Sequence, residues 1–241
     1  MRKYLLGSLS VLLLITVWYI FSSVVNNSFI LPNPIIVFDT LLKLLTNFST
    51  YSTIGITIFR LIAAFIISAF LGVFLGLLAG NYSWLDEFLH PLVTTLRTLP
   101  VASIIIIIII LFGNQSSLYL ITFLMIFPII YEASKSGVNN IPLDLKNNIA
   151  LETHQRFVIM IKIQLPLSLP YIKTALFQSI GLGFKVIVMA EFISQTTKGI
   201  GYELFRGTTV IQYELVFAWT IIIIVIVMIF EIMIKKLKRI I

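Results

Sequence analysis

The sequence of 241 residues contains no cysteine, only two histidines and few charged side chains. Without cysteine, the chain can form neither a disulfide framework nor a thiolate metal site. His90 and His154 are too few for most metal centres, so we expect no metal ion and no cofactor bound to this chain. Charged residues make up 11% of the sequence, and a soluble domain of this length could not keep its surface hydrated with so few.

Apolar residues take the place of the missing charges. They account for 59% of the chain, and the mean hydropathy is +1.06. A lipid bilayer covers apolar surface that water would not, so the composition indicates an integral membrane protein. The net charge of +7 does not indicate nucleic-acid binding, because the basic residues do not form one patch and several of them flank apolar runs.

Six apolar runs predict an all-α, polytopic membrane protein with six transmembrane helices. A helix needs about 20 apolar residues to cross the hydrocarbon core, and four of the runs reach that length easily. The fourth run is shorter and contains Pro128, and the fifth carries several charges. In chain order the predicted spans are residues 5–25, 54–80, 89–112, 118–131, 171–193 and 216–234.

Basic residues at both ends of the chain predict its orientation. Arg2 and Lys3 precede the first span, and a basic cluster at 235–239 follows the last. The positive-inside rule places both termini in the cytoplasm, which requires an even number of spans and therefore supports the weak span at 171–193. The first run also resembles a signal peptide, but no cleavage site follows it, so we interpret it as a retained helix.

This orientation assigns the loops to the two sides of the membrane. Residues 134–169 become the longest cytoplasmic loop, and an external loop is predicted to carry a short surface helix that begins at Leu31-Pro32-Asn33-Pro34 and ends near Leu45. No internal repeat or linker divides the sequence, so residues 1–241 are predicted to form one domain with its core at 54–235. The loops predicted outside are 26–53, 113–117 and 195–213.

Small residues form a ladder in the second span. Ala64, Ser68, Gly72, Gly76 and Gly80 follow one another at four-residue spacing, which places them on nearly one helix face. Small residues allow two helix backbones to approach closely in lipid. The ladder therefore indicates helix packing, either within the chain or at a subunit interface.

Three charged residues inside predicted spans are candidates for a translocation pathway. Arg97 lies in the third span, and Lys185 and Glu191 lie in the fifth. A charge in the bilayer is costly, so such residues usually face protein or water. They would line a polar path or bind an anionic substrate. The alternatives are structural pairing, or an Arg97 side chain that extends to the cytoplasmic surface.

The long cytoplasmic loop contains a short amphipathic pattern. Pro142 suits the first turn of a helix, and Ile141, Leu145 and Ile149 then fall on one face. An amphipathic helix outside the membrane needs a cover for its apolar face. The cover is either the membrane surface or a groove on a partner protein.

The end of this loop reads Ile163-Gln164-Leu165-Pro166. It resembles the end of the EAA loop of ABC importer permeases, whose pattern is Glu-Ala-Ala, three residues, Gly, nine residues and Ile-x-Leu-Pro. In that register Asn147-Asn148-Ile149 occupy the Glu-Ala-Ala positions and Thr153 occupies the Gly position, so only the distal half matches. A β-branched Thr tolerates a left-handed turn poorly, so the turn is built differently here or carries strain.

Further motifs resemble one subfamily, the permeases of nitrate, alkanesulfonate, taurine and thiamine-precursor importers. They occur in the expected order, and the resemblance covers most of residues 30–235. The motifs are Leu31-Pro32-x-Pro34, Arg97-x-Leu99-Pro100 with Ala102, Arg156-Phe157, Leu165-Pro166 with Pro170-Tyr171-Ile172, and Ala190-Glu191 with Gly199-Ile200-Gly201.

The resemblance implies an importer in a prokaryotic cell membrane. Its parts would be two permease subunits, expected to be identical, two cytoplasmic ABC ATPases and an extracytoplasmic substrate-binding protein. This chain has no Gly-x4-Gly-Lys-Ser/Thr motif, so ATP and magnesium are expected on the partner ATPase and this chain is not expected to be an enzyme. The residues expected to dock on the ATPase are Asn147, Asn148, Ala150, Leu151, Glu152, Thr153, His154, Arg156 and Phe157.

Other functions fit the sequence less well. A membrane-embedded enzyme would need clustered His, Asp, Ser or Cys residues, and the acids here are scattered over separate loops. A self-contained secondary transporter or channel often shows inverted repeats, which we do not find. A simple membrane anchor would leave the loop motif unexplained. The family and an intramembrane lysine favour a small anion such as sulfonate or nitrate, or a vitamin precursor such as thiamine pyrimidine, as the substrate.

Overall fold

A computed structural model describes residues 2–142, 144–145 and 155–240 of the chain. Nearly all of these residues are helical, and none of them lies in a β-strand. The all-α fold class is confirmed. The helices in chain order are α1 (Arg2–Val25), α2 (Pro34–Thr46), α3 (Phe48–Ala79), α4 (Ser83–Thr98), α5 (Val101–Phe112), α6 (Asn114–Asn139), α7 (Arg156–Ser194), α8 (Ile200–Thr209) and α9 (Tyr213–Ile240).

Four of these helices are long and apolar enough to cross a membrane, namely α3, α6, α7 and α9. The bent pair of α4 and α5 would provide a fifth crossing if both arms belong to one span. Helix α1 contains a shorter apolar stretch, Leu9–Val25. The polytopic architecture is therefore confirmed, and the count of six crossings stays a prediction.

The third predicted span, residues 89–112, is not one straight helix. Leu99 and Pro100 are both extended, with ψ values of 138° and 130°, and the axes of α4 and α5 differ by 107°. Proline has no N–H to donate and disfavours a helical conformation in the residue before it. Apolar composition continued through this point, so hydropathy alone predicted a continuous helix there.

Three predicted loops are shorter than expected because helices extend into them. Helix α6 begins at Asn114, so the turn predicted at 113–117 reduces to Gly113, whose φ is +76°. Helix α6 then continues to Asn139 and α7 begins at Arg156, which shortens the loop predicted at 134–169. The loop predicted at 195–213 contains α8. The short helix predicted to end near Leu45 is present as α2.

Helices α3 and α6 run parallel in direct backbone contact. A Cβ atom added to Gly72 would lie 2.9 Å from Ile130, and one on Gly80 would lie 2.7 Å from Val138. At Gly76 it would lie 2.5 Å from the carbonyl oxygen of Tyr131. Ser68 is buried on the same face, where its hydroxyl donates to the Ala64 carbonyl at 2.7 Å. The small-residue ladder therefore packs within the chain.

Helix α7 runs antiparallel to α3 and α6 and completes the centre of the bundle. Buried side chains from the three helices, including Leu61, Ile126 and Ile187, form one apolar core with residues of α5, α8 and α9. This core has two ends. The Glu191 end contains the end of α7 and the start of α8. The Gln164 end contains the last turns of α3 and α6 and the start of α7. The prediction of a single domain stays a prediction.

Candidate functional site

A buried ion pair holds the Glu191 end together. The Arg60 guanidinium donates to Glu191 Oε1 at 2.6 Å and to the Lys198 carbonyl at 2.7 Å. The Thr57 hydroxyl lies 2.9 Å from Glu191 Oε2. Glu191 is 0% exposed and Arg60 is 7% exposed, so each charge depends on the other for compensation.

The same carboxylate caps the N-terminus of α8. The Gly201 N–H donates to Glu191 Oε2 at 3.0 Å, and the Ile200 N–H donates to the Thr57 hydroxyl oxygen at 2.9 Å. A carboxylate is favourable at a helix N-terminus, where free N–H groups carry partial positive charge. Gly199 has a φ of +131°, and a Cβ at Gly199 or Gly201 would collide with Glu191. The motif around Glu191 and the glycine motif that follows it are therefore two halves of one structural unit.

Thr57 and Arg60 of this unit were not among the residues predicted from the sequence. Arg60 lies within the apolar run at 54–80, and an arginine inside such a run was the signal that could have identified it. Its partner Glu191 is 131 positions away in the sequence. No local spacing connects the two residues, so only the tertiary structure assigns the pair.

Helix α7 presents a polar face that other helices of the described chain leave exposed. Its members are Tyr171, Thr174, Gln178 and Lys185, which recur at three-, four- and seven-residue spacing. We call this set the α7 polar face. Buried residues such as Ile172, Gly183 and Ile187 occupy the opposite side of the helix.

Arg97, in the last turn of α4, lines a cavity of about 570 Å³. The cavity borders the α7 polar face at Tyr171, Thr174 and Gln178. We call it the Arg97 cavity. Helices α4, α6 and α7 form its walls, and it lies toward the Gln164 end. Its lining residues are Arg97, Ile129, Glu132, Ala133, Ser136, Pro170, Tyr171, Thr174, Ala175 and Gln178.

The three predicted pathway residues do not meet at one point. Arg97 and Lys185 are exposed, and Lys185 lies seven residues along α7 from Gln178, which lines the Arg97 cavity. Glu191 points to another side of α7 and is enclosed by Arg60 and Thr57. A pathway role for these residues stays a prediction, and the geometry favours it more for Arg97 and Lys185 than for Glu191.

A reciprocal amide pair joins two helices at the Gln164 end. The Asn81 amide donates to Gln164 Oε1 at 2.6 Å, and the Gln164 amide donates to Asn81 Oδ1 at 2.8 Å. Gln164 closes a π-helical segment, Met160–Gln164, within α7. A π segment inserts one extra residue into the helix and is frequent at functional sites. The amide pair places the stretch Ile163-Gln164-Leu165-Pro166 directly at the end of α3.

Arg156 and Phe157 begin α7 beside this pair. The Arg156 guanidinium lies over the ring of Tyr82, 5.8 Å from its centroid, and Phe157 is 63% exposed. Both line a smaller cavity of about 270 Å³ together with Gln164. The other predicted docking residues lie outside the described part of the chain; they are Asn147, Asn148, Ala150, Leu151, Glu152, Thr153 and His154.

Comparisons with known proteins point to a single family. A family model described as "Binding-protein-dependent transport system inner membrane component" matches residues 72–240. The chain is 26% identical over 239 residues to the putative aliphatic sulfonates transport permease protein SsuC of Bacillus subtilis, covering 97% of this chain and 85% of that protein. It is 30% identical over 162 residues to the nitrate import permease protein NrtB of Leptolyngbya laminosa, covering 66% and 57%.

A solved structure shares the fold. The chain superposes on a chain of the inward-facing MetNI methionine ABC transporter with a TM-score of 0.63. The match covers 80% of this chain and 98% of the other, at 14% sequence identity. The fold of this chain is thus a known arrangement of membrane helices.

Proposed function

This chain belongs to the family of binding-protein-dependent transport system inner membrane components and is a permease subunit of an ABC transporter; we propose that it imports a small oxyanion. In this proposal two copies form the translocation path. A separate ABC ATPase supplies the energy, and an external binding protein delivers the cargo.

The α7 polar face carries the proposal of a path through this chain. Polar side chains on a long apolar helix are costly toward lipid, so they normally face protein or water. Gln178 and Lys185 are exposed on the described chain, although the neighbouring faces of α7 are buried. A second permease copy placed along this face would enclose a polar route between the two subunits.

The charge on this route supports an anionic cargo. Arg97 and Lys185 are both exposed, and neither lies within 4 Å of a carboxylate in the described part of the chain. Unpaired basic side chains favour anions along a pore or channel. The relatives named above are described as permeases for aliphatic sulfonates and for nitrate, which are both oxyanions. These observations favour an oxyanion over a vitamin precursor.

The Gln164 end supports the proposed contact with an ATPase. Arg156 and exposed Phe157 stand at the start of α7, and the Asn81–Gln164 pair connects that start to α3. A force applied at Arg156 and Phe157 would therefore reach α7 directly and α3 through the Asn81–Gln164 pair. We place this end in the cytoplasm, together with both termini, on the basis of the basic residues that flank the first and last spans.

Charge reversal in the proposed docking loop tests the function. In proteoliposomes holding the complete complex, cargo-loaded binding protein should stimulate ATP hydrolysis and drive uptake of labelled nitrate or methanesulfonate. The double variant Glu152→Lys/Arg156→Glu should lower this stimulation at least about fivefold, because it reverses charges that would meet the ATPase surface. ATP hydrolysis and uptake are measured in the same vesicles.

The matched control is Lys43→Glu in α2, which reverses an exposed charge far from the Gln164 end. Its stimulation should equal that of the unmodified chain. Unchanged stimulation in Glu152→Lys/Arg156→Glu would contradict the docking assignment. Uptake driven by an ion gradient without ATP would contradict the importer assignment and support a secondary transporter.

Removal of the Lys185 charge should slow transport without affecting assembly. For Lys185→Met we expect uptake to fall about tenfold, since an anion would lose one favourable charge on its path. Lys185→Arg keeps the charge and should retain most of the uptake. Lys173→Met, on another side of α7, serves as the matched control. Normal uptake by Lys185→Met would assign Lys185 a purely structural role.

A further inference from the structure

The Arg97 cavity is rich in hydrogen-bond donors that have no assigned partner. Arg97, Ser136, Tyr171 and Gln178, which all carry side-chain donors, line it. Within the described part of the chain, none of these four side chains makes a hydrogen bond or an ion pair to another residue. Thr174 differs, because its hydroxyl already donates to the Pro170 carbonyl at 2.9 Å. The cavity therefore offers one guanidinium and several neutral donors to whatever occupies it.

Glu132, the one acid that lines the cavity, shares its counter-ion with a second acid. Glu132 Oε1 lies 3.4 Å from the Lys135 ammonium group, whose side chain is only 11% exposed. Lys135 also donates to Asp86 Oδ1 at 2.8 Å, and the Tyr131 hydroxyl donates to the same oxygen at 3.2 Å. These contacts fix Lys135 and Glu132 at the junction of α4 and α6. One ammonium group faces two carboxylates there, so this cluster keeps a net negative charge, and Arg97 is the one basic side chain among the residues that line the cavity.

We propose that the Arg97 cavity is a binding station for a monovalent oxyanion, with Arg97 as its counter-ion and Gln178 and Tyr171 as its donors. This inference rests on the proposed function and identifies where along the route the cargo is held. Guanidinium groups match the spacing of two oxygens on one anion and bind them through two parallel hydrogen bonds. The amide and hydroxyl would satisfy the remaining oxygens.

The balance of charge limits the valence of the ligand. One unpaired guanidinium neutralises one negative charge, and the Glu132 carboxylate on the same wall repels a second. Lys185 is the cationic residue of the α7 polar face and lies seven residues beyond Gln178. At the rise of an α-helix, this spacing corresponds to about 10 Å along α7. A monovalent anion could pass from one position to the other without being held too tightly at either.

The absence of cysteine makes the electrostatic potential in this cavity measurable. Gln178→Cys would be the single thiol of the chain, and it can be labelled in the detergent-solubilised complex with methanethiosulfonates of opposite charge. The probes are the sulfonatoethyl reagent, which is anionic, and the trimethylammonium-ethyl reagent, which is cationic. The readout is the ratio of the two labelling rates, each divided by its rate with a free thiol.

We expect the anionic reagent to be favoured at Gln178→Cys, because the Arg97 charge raises the local concentration of anions. Adding Arg97→Gln should lower the ratio about tenfold, and Arg97→Lys should preserve it. Nitrate at millimolar concentration should slow labelling when Arg97 is present and have no such effect in Arg97→Gln. Ser116→Cys, exposed at the start of α6, is the matched control, and its ratio should not respond to Arg97→Gln.

Thr174→Cys provides a second probe position if Gln178→Cys disturbs the fold. A ratio that does not respond to Arg97→Gln, or no labelling at either position, would overturn the binding station. The measurement needs no ATP hydrolysis, so it separates the two proposals. If the ratio at Gln178→Cys shows no dependence on Arg97 while ATP-driven uptake is normal, only the binding station is overturned. If the ratio depends on Arg97 while ATP does not drive uptake, only the importer assignment is overturned.

Discussion

Replacing Glu191 with alanine should destabilise the protein by about 3–5 kcal/mol, the typical cost of breaking a buried ion pair. The Arg60 guanidinium would remain buried without its counter-ion, and it would keep only the Lys198 carbonyl as an acceptor. The Gly201 N–H would lose its acceptor as well, so the start of α8 would be held less firmly. The effect is large because one carboxylate serves an arginine, a threonine and a helix N-terminus.

Thermal unfolding in detergent measures this loss. A change of that size corresponds to a decrease in Tm of roughly 6–20 °C for a protein of this length. The double variant Glu191→Leu/Arg60→Met should recover part of the stability, because removing both charges leaves neither one buried alone. Asp39→Ala breaks the exposed Asp39–Lys43 pair and should change Tm little. A Glu191→Ala variant as stable as Asp39→Ala would show that Arg60 finds another partner.

A single methyl group at Gly76 should also be strongly destabilising. In Gly76→Ala the new Cβ atom would lie 2.5 Å from the Tyr131 carbonyl oxygen and 2.6 Å from Ser134 Cβ. The first of these is a backbone atom, so α3 and α6 must separate to relieve the contact. Overpacking of this kind costs about 1–3 kcal/mol, and in lipid it removes the close packing that holds the two helices together.

Gly55→Ala is the control on the same helix. No atom lies within 4 Å of the position that its Cβ would occupy, so the substitution should be neutral or slightly stabilising. The comparison of the two variants by thermal unfolding isolates the packing contribution from the general effect of replacing glycine in a helix. Equal stability of Gly76→Ala and Gly55→Ala would mean that the contact between α3 and α6 is looser than the structure shows.

Local patterns were sufficient to locate most helices of this chain. Hydropathy predicted the long apolar helices, and the stretch Leu31-Pro32-Asn33-Pro34 predicted the start of α2. In the structure Asn33 caps the first turn of that helix. The same patterns failed at Leu99-Pro100, where apolar composition continued through a bend of 107°. They also placed several helix starts too late, because polar residues such as Asn114 and Arg156 begin helices that extend beyond the apolar runs.

Long-range pairing is the part that hydropathy and spacing could not supply. Glu191 and Lys185 were grouped because both are charged and lie close together in one predicted span. In the fold, Glu191 is paired with Arg60 and enclosed, whereas Lys185 is exposed on the α7 polar face with Gln178. The difference arises because six residues along a helix rotate a side chain onto a different face, which then meets different neighbours.

Composition and sequence motifs were therefore enough to identify a polytopic transport protein and its family, because lipid solubility and short motifs depend on residues that are near one another in the chain. The tertiary structure alone decided which charges are buried in an ion pair and which remain exposed. Arg60 and Glu191 are 131 positions apart, and Asn81 and Gln164 are 83 positions apart. Only the packing of α3 against α7 brings these side chains within hydrogen-bonding distance, and that same packing leaves Arg97 and Lys185 exposed.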